Sequence, residues 1–216
     1  MQAGFAFLLK CVIAIFVILN PFGNVPILLS LTQGLSAESR RSVVARSSIT
    51  ALGILLAFAL AGQFIFDLFH ITIGAFRIAG GILLFVISLS MLYGEHSGTK
   101  ITPKEQAAAA QKADVAVSPM GTPMMAGPGT IVTVMSLMDQ AKHWSDKSLV
   151  LLAIPIAIGV GYLILRLGPP LMLRLGEGGL RVMTRMMGLV LAVIAVQFVL
   201  NGVHDALPQI LGVKHH

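Results

Sequence analysis

Charged residues are scarce in this chain: Asp, Glu, Lys and Arg make up 11% of 216 residues, and aromatic residues only 6%. A single cysteine, Cys11, excludes a disulfide within one chain and a cysteine-built metal site, and its place in an apolar run marks it as a packing residue. No Asp or Glu falls near the middle of an apolar block, and the blocks hold no histidine pair, nucleotide-binding glycine loop or nucleophile constellation. These gaps argue against an intramembrane enzyme, against a resident metal or cofactor, and against a buried carboxylate acting as a proton relay. The formal charge of +6 does not indicate nucleic acid as a partner, because the basic residues are scattered among short loops.

What the chain has in abundance is apolar sequence, 56% of all residues. It falls into six blocks, approximately 6 to 31, 45 to 67, 73 to 93, 116 to 138, 148 to 167 and 184 to 203. Each is about 20 residues long, the length that crosses roughly 30 Å of hydrocarbon as a helix. The expected fold class is therefore an all-α membrane protein with six transmembrane helices and no soluble domain. The first block has no basic leader before it and no small-residue cleavage pattern before Asn20, so it reads as a retained helix rather than a signal peptide.

Lysine and arginine set orientation in membrane proteins. The first loop carries Arg40, Arg41 and Arg46, the third Lys100, Lys104 and Lys112, and the fifth Arg166, Arg174 and Arg181. The second loop, around Asp67 and His70, has neither residue type; in the fourth, Lys142 and Lys147 are offset by Asp139 and Asp146. Odd loops are expected to be cytoplasmic and both termini outside, which in a bacterial inner membrane means the periplasm. A re-entrant fourth block would force the arginine-rich fifth loop outward, so that block is expected to span.

The two halves resemble each other. Arg77, Gly80 and Gly94 match Arg185, Gly188 and Gly202 with the same spacing; Pro21, Gly23 and Ser30-Leu31 match Pro128, Gly129 and Ser136-Leu137 at nearly the same offset. Three helices per copy is an odd number, so the second copy enters the membrane upside down, the inverted repeat of many secondary transporters. The expected division is a first repeat at 1–97, a cytoplasmic linker at 98–115, and a second repeat with a short tail at 116–216.

Each repeat carries a helix-breaking motif inside its first apolar block. In Asn20-Pro21-Phe22-Gly23-Asn24, Pro21 removes the donor for the carbonyl of Val17, and Gly23 with Asn24 readily leaves helical geometry. The amides of Asn20 and Asn24 then bind either a polar solute or the exposed backbone as local caps. In Gly127-Pro128-Gly129-Thr130, a proline in the first turn predicts a new helix whose unpaired N–H groups and positive dipole end suit a carboxylate. Paired breaks at matching positions point to a transporter's binding site. Pro119-Met120-Gly121-Thr122-Pro123 reads as an irregular helix start at the cytoplasmic surface.

Arg77 and Arg185 each open the last helix of a repeat. They either snorkel to the interface or act as gates or carbonyl clamps at opposite faces, and Gly80-Gly81 and Gly188 are expected to permit close approach of these helices to the broken ones. Gln197, Asn201, Ser88 and Ser90 are the other polar side chains of note, serving a polar pocket or interhelical hydrogen bonds.

Asn20-Pro21-Phe22-Gly23-Asn24-Val25-Pro26, Phe76-Arg77-Ile78-Ala79-Gly80-Gly81, Ala126-Gly127-Pro128-Gly129 and Arg185-Met186-Met187-Gly188-Leu189 together resemble the MarC family. Its members are also described as SnatA-type neutral amino-acid transporters. The resemblance covers nearly the whole chain, with the motifs in order. It implies a six-helix bacterial inner-membrane protein with small neutral amino acids such as glycine and alanine as substrates. The expectation is alternating-access transport, with H+ or Na+ as candidate coupling ions, the lipid bilayer as surroundings, and a homo-oligomer compatible with the chain. Two rivals are efflux of drugs or other small solutes, and a non-transporting membrane scaffold. Efflux of cationic drugs calls for aromatic and acidic cavity walls, which the composition lacks.

Overall fold

A computed structural model describes residues 2–93 and 125–210. The expected linker at 98–115, both repeat boundaries beside it, Gly94 and the Pro119–Pro123 motif lie outside the described residues. Within them the chain is helical, with no strand. The elements are α1 (Gln2–Leu19), α2 (Pro21–Leu31), α3 (Ala37–Phe69), α4 (Ile73–Tyr93), α5 (Pro128–Gln140), α6 (Trp144–Arg166) and α7 (Gly168–Ile210).

Five stretches are long and apolar enough to cross a membrane: Gly4–Leu31, Ala37–Phe69, Ile73–Tyr93, Trp144–Arg166 and Gly178–Leu207. They coincide with five of the six expected blocks. The expected fourth crossing is described only from Met125 onward. Its helix α5 has 13 residues, about 20 Å at 1.5 Å per residue, too short to span alone.

Local chemistry sets the helix ends. Ser36 caps α3 by accepting from the Ser39 N–H at 3.1 Å. At its other end His70 turns left-handed (φ 52°), with Ile71 N–H bonded to Phe66 O and His70 N–H to Asp67 O. That is a Schellman closure made with histidine instead of glycine. Thr72 then accepts from Ala75 N–H at 3.2 Å, so α4 begins after a minimal turn. Phe66 and Phe76 meet edge to face across this turn with centroids 4.9 Å apart. α3 has 33 residues, about 50 Å, and its charged first turns extend past the apolar block expected from hydropathy. In α7 the chain kinks at Gly176 (φ 66°), a backbone conformation that glycine adopts without Cβ strain.

The most extensive packing joins α4 to α7. Small residues line this seam at heptad steps running in opposite directions: Gly74 against Gly202, Gly81 against Ala195, and Ser88 against Gly188. A Cβ at Gly202 would stand 2.6 Å from the Gly74 carbonyl oxygen, and one at Gly81 2.7 Å from that of Ala195. Backbones touch where glycine removes the obstacle, the packing mode that replaces hydrophobic driving force in lipid. The other extensive contacts, α1 with α6, α3 with α6, α2 with α7, α4 with α5 and α3 with α5, also join an element before residue 94 to one after 124. Exchanging α1–α2, α3 and α4 for α5, α6 and α7 maps these extensive contacts onto one another, whereas the slighter α5–α6 and α6–α7 contacts have no counterpart of like extent.

The largest apolar cluster runs through Cys11, Ile15 and Leu19 of α1, Leu55 of α3, Val134 of α5 and Ile154 of α6. Outward faces carry exposed apolar side chains such as Phe64, Leu60, Ile82 and Leu163, as lipid contact requires. α5 is the inner element: every residue from Val132 to Leu137 is buried.

Candidate functional site

The first break is one residue wide. Asn20 adopts the left-handed conformation (φ 47°, ψ 56°) between α1 and α2, and Pro21 takes the first position of α2. Asparagine is among the few residues that occupy this region readily. Gly23 and Asn24, expected to leave helical geometry, are helical; one left-handed residue followed by proline suffices to restart the helix. Asn20 Oδ1 accepts from Gly23 N–H at 3.2 Å, and its Nδ2 lies 3.2 Å from Met91 Sδ of α4. Gly23 leaves room for that amide, since a Cβ there would stand 2.4 Å from Asn20 Nδ2.

The second break has the same plan with different parts. Gly127 is extended (φ −70°, ψ 170°), Pro128 takes the first position of α5, and no side chain caps the helix start. The first main-chain bond of α5 is Ile131 N–H to Gly127 O at 3.1 Å. The N–H groups of Gly129 and Thr130 therefore precede the helical ladder and carry the positive end of the helix dipole. Gly127, Gly129 and Thr130 are buried and Pro128 is exposed. The predicted new helix start is observed.

A correspondence between the breaks appears in their hydrogen bonds. At each, the residue after the glycine reaches back five residues to a main-chain carbonyl. Asn24 Nδ2 donates to Leu19 O at 3.0 Å, and Thr130 Oγ1 donates to Met125 O at 3.2 Å. Both side chains are buried, at 7% and 3% exposure. Each supplies a donor to a carbonyl in the turn that the break interrupts, where an unpaired group costs about 1–3 kcal/mol.

α4 is a wall common to both breaks. Met91 touches Asn20, and a Cβ at Gly23 would meet its Cε at 2.7 Å. Leu84 covers Gly129, where a Cβ would stand 2.3 Å from its Cδ2. Leu84 and Met91 lie two turns apart on α4, about 10 Å, and Leu84 shares one apolar cluster with Ile18 near the end of α1. On its far side the first break meets α6, where Gly161 makes space for Leu19. Asn20, Pro21, Gly23, Asn24, Gly127, Gly129 and Thr130 are thus interior residues at two helix starts.

Arg77 and Arg185 have different surroundings. The Arg77 side chain, 11% exposed, forms an ion pair with Asp205 of α7, lies 3.7 Å from Asp139 of α5, and donates from Nε to Ser136 Oγ at 3.2 Å. One guanidinium thereby ties α4, α5 and α7 together. Arg185 is exposed and has no ion-pair partner among the described residues. Sequence reasoning did not identify Asp205, Asp139 or Met91 as neighbours of the candidate residues. The only signal was two acids placed just past the ends of apolar blocks. Gln197 and Asn201 bond each other at 2.8 Å on the exposed face of α7, and among the described residues they join neither break nor any interhelical bond. Ser88 and Ser90 return their hydroxyls to Phe85 O and Val86 O of their own helix.

A family model described as MarC family integral membrane protein matches residues 5–207. The UPF0056 membrane protein MJ1677 of Methanocaldococcus jannaschii is 46% identical over 90% of this chain and 94% of its own. UPF0056 membrane protein YvbG of Bacillus subtilis is 37% identical over 94% and 97%, and YhcE of Escherichia coli 31% identical over 94% of each. These names state a membrane protein and no substrate. No solved structure matches the chain significantly.

Proposed function

This chain belongs to the MarC family of integral membrane proteins, and we propose that it is a secondary transporter of small neutral amino acids working by alternating access. The observation that carries the reading is the matched pair of back-bonds, Asn24 to Leu19 O and Thr130 to Met125 O, at two interior helix starts. Each bond joins a polar side chain to a carbonyl, and an ammonium group can take the side chain's place. The Gly129 and Thr130 N–H groups are suited to the carboxylate, as at other helix N-termini. Met91 and Leu84 pack directly onto Gly23 and Gly129, leaving no room even for a methyl group; a substrate displaces these side chains, which favours one as small as glycine or alanine.

In this reading the halves are inverted repeats of three membrane crossings each, with the first crossing of each broken. The extensive contacts, which map onto one another on exchanging the halves, and the antiparallel α4–α7 seam support it. α5 then supplies one half of the fourth crossing. The arginine-bearing loops lie in the cytoplasm and both termini in the periplasm, as the loop charges indicate. The Arg77 cluster serves as a gate at the periplasmic face, tying three helices that must part for substrate to pass; Arg185 holds the equivalent sequence position in the second repeat.

The test is flux. Liposomes containing the purified chain should take up or exchange labelled glycine or alanine faster than empty ones, and equal rates overturn the proposal. Imposed proton and sodium gradients distinguish the coupling ions, and dependence on neither leaves facilitated diffusion. Thr130→Val and Asn24→Leu should lower flux about tenfold while the protein stays folded, since each removes the polar side chain that, once displaced from its carbonyl, hydrogen-bonds the substrate, a bond worth about 1.4 kcal/mol. Unchanged flux in both variants would favour a purely structural role for the breaks.

A further inference from the structure

The end of the molecule opposite the Arg77 cluster contains a half-open cavity of about 550 Å³, between the start of α3 and the turn joining α6 to α7. Arg40 and Arg41 of α3 and Arg166 of α6 line it, together with Leu163, Pro169 and Pro170. Among the described residues, no acidic side chain lines it and none of the three arginines has an ion-pair partner. Three guanidinium groups gathered on one cavity repel one another, a cost that an anion between them reverses.

Arg40 is held in place. Its Nε donates to Thr32 Oγ1 at 3.0 Å and its Nη2 to Thr32 O at 3.4 Å, and Thr32 is fully buried. Two donors fix the guanidinium plane while others remain available, the preorganisation that suits bidentate recognition of phosphate oxygens. Arg166 arrives from the last turn of α6. Beside these cations, Leu163 and Leu167 expose 54% and 58% of their surface, and the prolines have no N–H to satisfy. A cationic pocket bordered by exposed apolar surface, at a membrane-spanning helix end, matches the headgroup and upper acyl region of an anionic lipid.

We infer that this cavity binds a phosphate group, carried by an anionic membrane lipid or supplied as free phosphate. The site is separate from the helix breaks and does not depend on what they bind. An occupant would clamp the start of α3 to the α6–α7 turn, whose Gly168 lies against Val25 of α2. Ligand at this end would thereby bias the packing around the first break.

The test uses the full chain purified in detergent, with native mass spectrometry and thermal unfolding as readouts. The probes are phosphatidylglycerol, phosphatidylcholine and sodium phosphate, with sodium chloride as the salt control. The wild-type protein should retain phosphatidylglycerol over phosphatidylcholine, or unfold at higher temperature in phosphate than in chloride; the arm that responds identifies the source. The Arg41→Gln/Arg166→Gln variant should lose that preference by about twenty-five-fold, from about fivefold per arginine near a membrane surface. Its unfolding in the absence of probe shows that it is folded. Arg181→Gln, an exposed arginine outside the cavity, should behave as wild type. The inference is overturned if neither probe is preferred, if the double variant binds as tightly as wild type, or if Arg181→Gln weakens binding equally.

Discussion

Replacing Gly202 by alanine adds one methyl group where α7 presses on α4, and the structure gives the consequence. The new Cβ would stand 2.6 Å from Gly74 O, 2.7 Å from Ile78 Cγ1 and 3.0 Å from Ile78 N, against about 3.4 Å for ordinary contact. Two of those three atoms are backbone, so no rotamer change relieves the overlap; α4 must move away. Because the same seam continues at Gly81 and Ser88, the movement loosens contacts along most of its length. Overpacking of this kind costs about 1–3 kcal/mol, offset by up to about 1 kcal/mol from alanine's better helix propensity. With two of the three contacts made to backbone, the upper part of that range, about 2–3 kcal/mol, applies; the net loss of about 1–2 kcal/mol, at about 2–4 °C per kcal/mol for a chain of this size, is a fall of about 2–8 °C in unfolding temperature. Cys11 is fully buried and is the one cysteine, so a thiol-reactive dye reports unfolding directly in detergent. Gly53→Ala and Gly159→Ala are the internal controls. Both glycines are in helix interiors with nothing within 4 Å of an added Cβ, and both variants should unfold about 2–4 °C higher. The reasoning fails if Gly202→Ala is as stable as wild type, or if the controls fall as far as it does.

Asn20→Ala should destabilise by about 2 kcal/mol, combining a lost cap with a left-handed alanine, whereas Asn20→Gly should lose only a few tenths; the same dye assay separates them. Arg77→Gln and Asp205→Asn should each lower stability, and their double variant should lose less than the sum, with a coupling of about 1–3 kcal/mol in a double-mutant cycle; additive losses would show that the pair is not coupled. Gly23→Ala, whose Cβ would overlap Asn20 Nδ2 and Met91 Cε, should destabilise by about 1–3 kcal/mol, and Met91→Ala in the same chain should recover part of that loss.

The start of the block at 73 coincides with that of α4 because the hydrophobic run begins where Thr72 accepts from the Ala75 N–H. α3 begins eight residues before its block, at Ala37 instead of 45, since hydropathy does not register helical turns built of Glu38, Ser39 and Arg40. Proline marked both breaks correctly. It did not reveal that Asn20 alone would leave helical geometry, because that depends on a three-residue reach to Gly23 and on room beside Met91. The partners of Arg77 were not legible either. Ser136 and Asp205 lie 59 and 128 residues away in sequence, and only helix packing brings them together. Gln197 and Asn201 face outward for a similar reason: the side of α7 used against α4 is set by Gly188, Ala195 and Gly202.

The enclosure of α5 bears on how the chain is made. α5 by itself, 13 residues carrying Thr130, Thr133 and Ser136, is shorter than a membrane crossing, and α1, α3, α4 and α6 cover it. Its buried surroundings include α6, which leaves the ribosome only after α5 has emerged. α5 is therefore enclosed only once α6 has joined α1, α3 and α4 around it. Chains truncated after residue 143 are expected to remain sensitive to added protease around α5, while chains extended through Arg166 acquire protection.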